Sequence, residues 1–245
     1  MSDLVAAEWL KLRTTRFLTG LVLAAVALSI LAVAGTALAT DRSNVNLESD
    51  EGLRRILSVS GTGALVVLLL GVVLAASEYR HGTAADTFLT TPRRQRVVVA
   101  KVTVGAAVGA ATGVLIAASS LGAAAVVYAV KGAALPWGDA LFWGTLVGAV
   151  LYSTLFAILG TAVGTLVRNQ VLAVAFALAW IAIVEHILVN FAPAIGRWLP
   201  AAAGQAIVRT PLDDLLPPFG GALVLAAYAL GVAAAGVCFT ATRDA

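Results

Sequence analysis

Charge is what this sequence has least of. Aspartate, glutamate, lysine and arginine make up 12% of its 245 residues, while 60% are apolar; a soluble domain carries about 25% charged residues. So little charge cannot cover a water-facing surface, which excludes a soluble globular fold and leaves lipid as the solvent. Cysteine is nearly absent too. The single Cys238 excludes an intrachain disulfide, and its place in the last apolar run makes it a small packing residue. Only two histidines occur, His81 and His186, with no HExxH and no paired-cysteine spacing, so metal-hydrolase and zinc patterns are missing. The dipeptide Gly-Lys never occurs, so there is no GxxxxGK[ST] phosphate loop. The chain is therefore expected to be no enzyme, to hold no cofactor or metal, and to bind no nucleic acid.

What is present is a series of apolar runs about as long as the ~20 residues that a helix needs to cross hydrocarbon. They lie at about 17–39, 56–77, 97–130, 140–167, 170–189 and 219–240. The short alternating segments of a membrane β-barrel are absent. The expected fold is an all-α integral membrane protein, one transmembrane domain over 1–245. The third run, of 34 residues, exceeds a perpendicular crossing and should tilt or project. The first is too long for a signal-peptide core of roughly 7–15 residues and reads as a retained anchor, despite Ala37-Leu38-Ala39. The proline-rich stretch 190–218 leaves room for an interfacial or re-entrant helix.

Orientation follows from where lysine and arginine fall. With the N-terminus inside, inner segments hold Lys11, Arg13, Arg16, Arg80, Arg93, Arg94, Arg96, Lys101, Arg168 and Arg243. Outer segments hold Arg42, Arg54, Arg55, Lys131, Arg197 and Arg209. Both termini are thus assigned to the cytoplasm. Ahead of the first span, Val5, Trp9 and Leu12 recur at helical spacing while Asp3, Glu8 and Lys11 occupy other faces. That pattern describes an amphipathic helix over 1–16 lying on the inner leaflet, with Glu8, Trp9, Lys11 and Arg13 as its marked residues.

Polar groups inside lipid are candidates for function. Glu185 and His186, about 15 residues or roughly 22 Å from the start of span five, are read either as a polar point on a substrate path or a charge-relay pair, or as an interfacial pair reaching headgroups and water. Glycines four apart, Gly105, Gly109 and Gly113 in span three and Gly144, Gly148, Gly160 and Gly164 in span four, mark faces where helices approach closely. The packing is expected within one chain rather than between two. Thr112, Thr161 and Thr165 stand beside them, placed to hydrogen-bond across the contact.

The loop between spans two and three, 78–96, is more ordered than a topogenic basic loop requires. It runs Glu78-Tyr79-Arg80-His81-Gly82-Thr83, then a helix-capable stretch, then Thr91-Pro92-Arg93-Arg94, with Lys101 closing it. The Glu78 carboxylate is expected to be held by Arg80 or by one of Arg93, Arg94 and Arg96. These residues resemble the first cytoplasmic loop of ABC-2 type permeases, the membrane subunits of bacterial ATP-binding-cassette exporters. Glu8-Trp9-Leu10-Lys11-Leu12-Arg13-Thr14-Thr15-Arg16 resembles the N-terminal interfacial helix of that family, and Arg168-Asn169 its second inner turn. The resemblance implies a permease in the bacterial plasma membrane that pairs with a second permease, a homodimer being simpler. It further implies two cytoplasmic ATPases that carry the ATP and Mg, and coupling through Glu78, Tyr79, Arg80, Gly82, Thr83, Pro92, Arg93 and Arg94. A non-transporting membrane anchor or sensor is the alternative.

Overall fold

Hydrocarbon offers no partner to a backbone amide or carbonyl, so an apolar chain in lipid satisfies these groups within helices. The computed structural model describes residues 2–14, 16–42, 49–81 and 94–242, and none of them forms a strand. Helix α1 spans Ser2–Thr14, and span one is α2, Arg16–Arg42. Span two joins α3 (Asp50–Ser58), a 3-10 stretch (Val59–Gly63) and α4 (Ala64–His81). Spans three and four are α5 (Arg94–Val130) and α6 (Ala140–Val167). Span five comprises α7 (Gln170–Ala179), a π turn (Trp180–Glu185) and α8 (His186–Phe191). After the short α9 (Pro193–Gly196) and α10 (Pro200–Ile207) comes span six, α11 (Pro218–Thr242). Six helices among the described residues are long and apolar enough to cross a membrane.

Local chemistry sets the ends. Span two starts at Asp50, six residues before the apolar run, because Ser49 caps it: Ser49 Oγ accepts from Gly52 N at 3.1 Å. Asp50 and Glu51 fill the first turn, where the helix dipole favours acids, and Arg55 pairs with Glu51 at 2.7 Å. Asp139 caps span four through Leu141 N at 2.7 Å. Arg168 closes that span in the left-handed region, φ 53. Asn169 then opens span five by accepting from Val171 N and Leu172 N at 3.0 and 3.1 Å. The two-residue turn seen in the sequence is thus a C-cap followed directly by an N-cap.

Spans two and four form the centre. The chain buries 72% and 61% of their apolar stretches, against 17–33% for the other four. Gly164 lies so close to span two that an added Cβ would stand 2.6 Å from the Val72 carbonyl oxygen and 2.9 Å from Ala75 Cβ; Gly160 lies on Leu68 and Val72 in the same way. Gly105, Gly109 and Gly113 of span three face Thr161, Ala157 and Val150 of span four. Gly148 admits α10, whose Ile207 carbonyl would be 2.6 Å from a Cβ. Gly144 differs from the helix-packing expectation, because the space it leaves holds the Arg209 guanidinium. Thr161 and Thr165 also differ. Their hydroxyls donate to Ala157 O and Ala162 O of their own helix, each at 2.7 Å, the nearest acceptors that a helical threonine meets.

A Cβ at Gly164 meets backbone, whereas one at Gly231 meets nothing within 4 Å. Gly164→Ala should therefore destabilise the bundle by about 1–3 kcal/mol through overpacking. Gly231→Ala should leave stability unchanged or raise it. Thermal unfolding of both variants in one detergent checks the contrast.

Candidate functional site

Two polar points stand out, one at each end of the bundle. At the end carrying α1, Lys101 lies in the second turn of α5. Its Nζ donates to Glu8 Oε2 at 2.9 Å and to Glu78 Oε1 at 2.8 Å, with the three side chains only 5%, 8% and 9% exposed. A charge at that depth needs a partner, and this one gathers α1, the end of span two and the start of span three onto a single ammonium. Lys101, not among the partners expected for it, therefore holds Glu78; of the arginines expected, Arg96 is exposed and the side chains of Arg80, Arg93 and Arg94 lie outside the described residues. Lys101 belongs to the helix of span three, and the sequence signal for it is a lone lysine after the four apolar residues 97–100.

On α1 the charge on Glu8 faces the bundle, and Trp9 and Leu10 are exposed. Tyr79 and Arg80 fall in the last turn of α4 and Arg94 begins α5, but their side chains, like those of Lys11 and Arg13, lie outside the described residues. So do Gly82, Thr83, Pro92 and Arg93.

At the opposite end, Glu185 and His186 part company. Adjacent helical residues point in different directions, and here Glu185 is 2% exposed while His186 faces outward. Neither a relay nor an interfacial pair results. Glu185 ends the π turn, whose extra residue per turn alters the facing of the side chains that follow. Its Oε2 accepts from Ala201 N at 2.7 Å. Leu199, at the N-cap position of α10, has no side-chain acceptor; Glu185 supplies one from another helix. Its Oε1 has no hydrogen-bond partner, although the Trp180 indole and the Ala202 amide lie near the carboxylate.

Glu185 borders two cavities. One, of about 480 Å³, is lined by Gly61, Thr62, Tyr152, Ala182, Gln205 and Thr210 among others. The second, of about 200 Å³, is apolar, between Leu68, Leu159, Phe176, Trp180, Tyr228 and Val232. A third hollow beside the first contains Arg54 and Arg209. Arg209, missed in the sequence, sits at φ 57 and donates through Nη1 to Leu141 O at 3.1 Å. Among the described residues no three of His, Cys, Asp and Glu converge as a metal site requires.

The ion cluster has an asymmetry that mutation exposes. Lys101→Met removes the ammonium from between two buried carboxylates and should cost about 3–5 kcal/mol. Glu8→Gln or Glu78→Gln leaves the lysine with one carboxylate and should cost less. Thermal midpoints of the three variants test the order, and restoration of Lys101→Met by combining it with both glutamine substitutions tests the cause.

No curated protein is matched by the chain. The family described as ABC-2 family transporter protein is matched over residues 4–184, from α1 into the π turn of span five. With six membrane-capable helices and a match over about three quarters of its length, the chain belongs to the ABC-2 family of transporter proteins, as a multi-pass membrane protein.

Proposed function

We propose that the chain is the permease subunit of an ATP-binding-cassette exporter in a bacterial plasma membrane, with both termini cytoplasmic. It forms the substrate path but hydrolyses no ATP. It pairs with a second copy of itself, and the two permeases carry two ATPase subunits that bind ATP and Mg. The observation that supports coupling through this chain is the Lys101 cluster. Glu78 and Lys101 flank the loop 82–93 on its two sides, and Glu8 adds α1 to the same point. A push on that loop or on α1 cannot be absorbed by one segment alone, since all three are tied where little water screens the charges. Span two, the most buried of the six, then carries the displacement through the bundle.

The charge arrangement makes Glu78 separable from folding, because Lys101 keeps Glu8 when Glu78 is lost. Glu78→Ala should therefore remain inserted and abundant, yet weaken ATPase recovery or uncouple hydrolysis from transport. Gly82→Val should do the same if the loop needs a backbone conformation that a β-branched residue resists. The measurements are recovery of an ATP-binding-cassette ATPase with the tagged chain from bacterial membranes, hydrolysis by that complex, and transport in vesicles. Wild-type values on all three for both variants would remove the coupling role. A chain that recovers no such ATPase, with native mass spectrometry showing it alone in gentle detergent, would favour a membrane anchor or sensor instead.

A further inference from the structure

The hollow that contains Arg54 and Arg209 has a volume of about 760 Å³, within the ~300–1,000 Å³ range of small-molecule sites. Its walls come from the start of span two (Arg54), the start of span four (Ala140 and Leu141), and the end of α10 with the connection to span six. The apolar runs of these three spans begin at about 56, 140 and 219. The hollow therefore sits where hydrocarbon gives way to headgroups.

Charge has one sign here. The ionisable side chains in the walls are the two arginines, and among the described residues neither has a carboxylate partner. Arg55, one residue on from Arg54, pairs with Glu51 at 2.7 Å and is no part of the walls. Asp139 is taken up by the Leu141 amide, and Asp213 and Asp214 are exposed outside the walls. Arg209 is held in place, its guanidinium filling the space that Gly144 leaves and its Nη1 donating to Leu141 O at 3.1 Å. That carbonyl already accepts from Thr145 Oγ1 at 2.9 Å, so the fold does not need the arginine to satisfy it. Nε and Nη2 of Arg209 have no partner among the described residues. Spans four and six begin at the walls and direct the positive ends of their helix dipoles there as well.

We propose that this hollow binds the headgroup of an anionic phospholipid, its phosphate on the guanidinium groups of Arg54 and Arg209 and its glycerol esters against Leu212, Leu215, Leu216 and Pro217. Guanidinium forks match phosphate oxygens in bidentate geometry, and basic pockets between membrane spans recruit acidic headgroups. The walls favour a lipid over a free phosphate, because apart from the arginines and Thr210 their side chains are apolar and Leu212 is exposed. With the termini cytoplasmic the leaflet is the outer one; binding itself depends neither on that orientation nor on an ATPase. Arg209 and the connection to span six lie beyond the matched residues 4–184, so family membership does not assign this site.

Native mass spectrometry of the full chain, delipidated in gentle detergent and titrated with dioleoyl phosphatidylglycerol, tests this. The tightest-bound phosphatidylglycerol is expected to be retained at least about tenfold more strongly than dioleoyl phosphatidylcholine. Arg54→Gln and Arg209→Gln should each weaken it by at least about tenfold, since each removes charge-assisted hydrogen bonds. Arg55→Gln removes an equal charge one residue away and should leave retention unchanged. Inorganic phosphate in large excess should not displace the lipid. Arg54 is exposed, so Arg54→Gln decides the matter if Arg209→Gln does not fold. Equal retention of the two lipids, wild-type retention in Arg54→Gln or in folded Arg209→Gln, an equal loss in Arg55→Gln, or displacement by inorganic phosphate each overturns the proposal. No ATPase enters the assay, so any of these results leaves the permease reading standing.

Discussion

The close approach of spans two and four carries the rest of the bundle. In lipid an apolar helix face gains little by leaving one hydrocarbon for another, so association rests on close van der Waals packing and on what backbones can approach. Gly160 and Gly164 bring span four onto the Val72 backbone of span two, and Gly71 of span two returns the contact to Thr161. Span three packs on span four through Gly105, Gly109 and Gly113, against Thr161, Ala157 and Val150. Spans one, five and six then attach by narrow strips and leave most of their surface to lipid. Of the buried strip of span one, Leu18, Ala25, Ser29, Val33 and Ala37, all but Leu18 are small or β-branched.

The two charged points obey one rule with different outcomes. An ionisable group away from water keeps its place only with partners. Lys101 finds two, and in doing so ties segments that the sequence separates by up to 93 residues. Glu185 finds the Ala201 amide for one oxygen and serves the fold as the missing cap of α10, with the Trp180 indole and the Ala202 amide near its carboxylate. The Lys101 cluster ties three segments at one point; Glu185 ties span five to α10. The cluster lies at the end with α1, and Glu185 lies at the other, with the central pair of spans between them.

Composition determined that this is a membrane protein, because a chain with 12% charge cannot cover a water-facing surface, and long apolar runs in place of short alternating segments determined that it is helical. The lengths of the apolar runs determined six spans, and the four-residue glycine spacing marked where helices meet. The sequence could not determine how each helix is rotated about its axis, since that angle depends on contacts with distant segments. Only the tertiary structure decided that Lys101 holds Glu78, that Glu185 turns inward while His186 turns out, and that Gly144 makes room for Arg209 instead of for a helix. It also decided that span two begins at Asp50, where Ser49 offers a cap, and that α10 packs beneath Gly148 and on Gly221. The division has one physical cause: hydrophobicity is additive along a chain and can be counted there, whereas the partner of a buried charge or of a bare glycine is a neighbour in space.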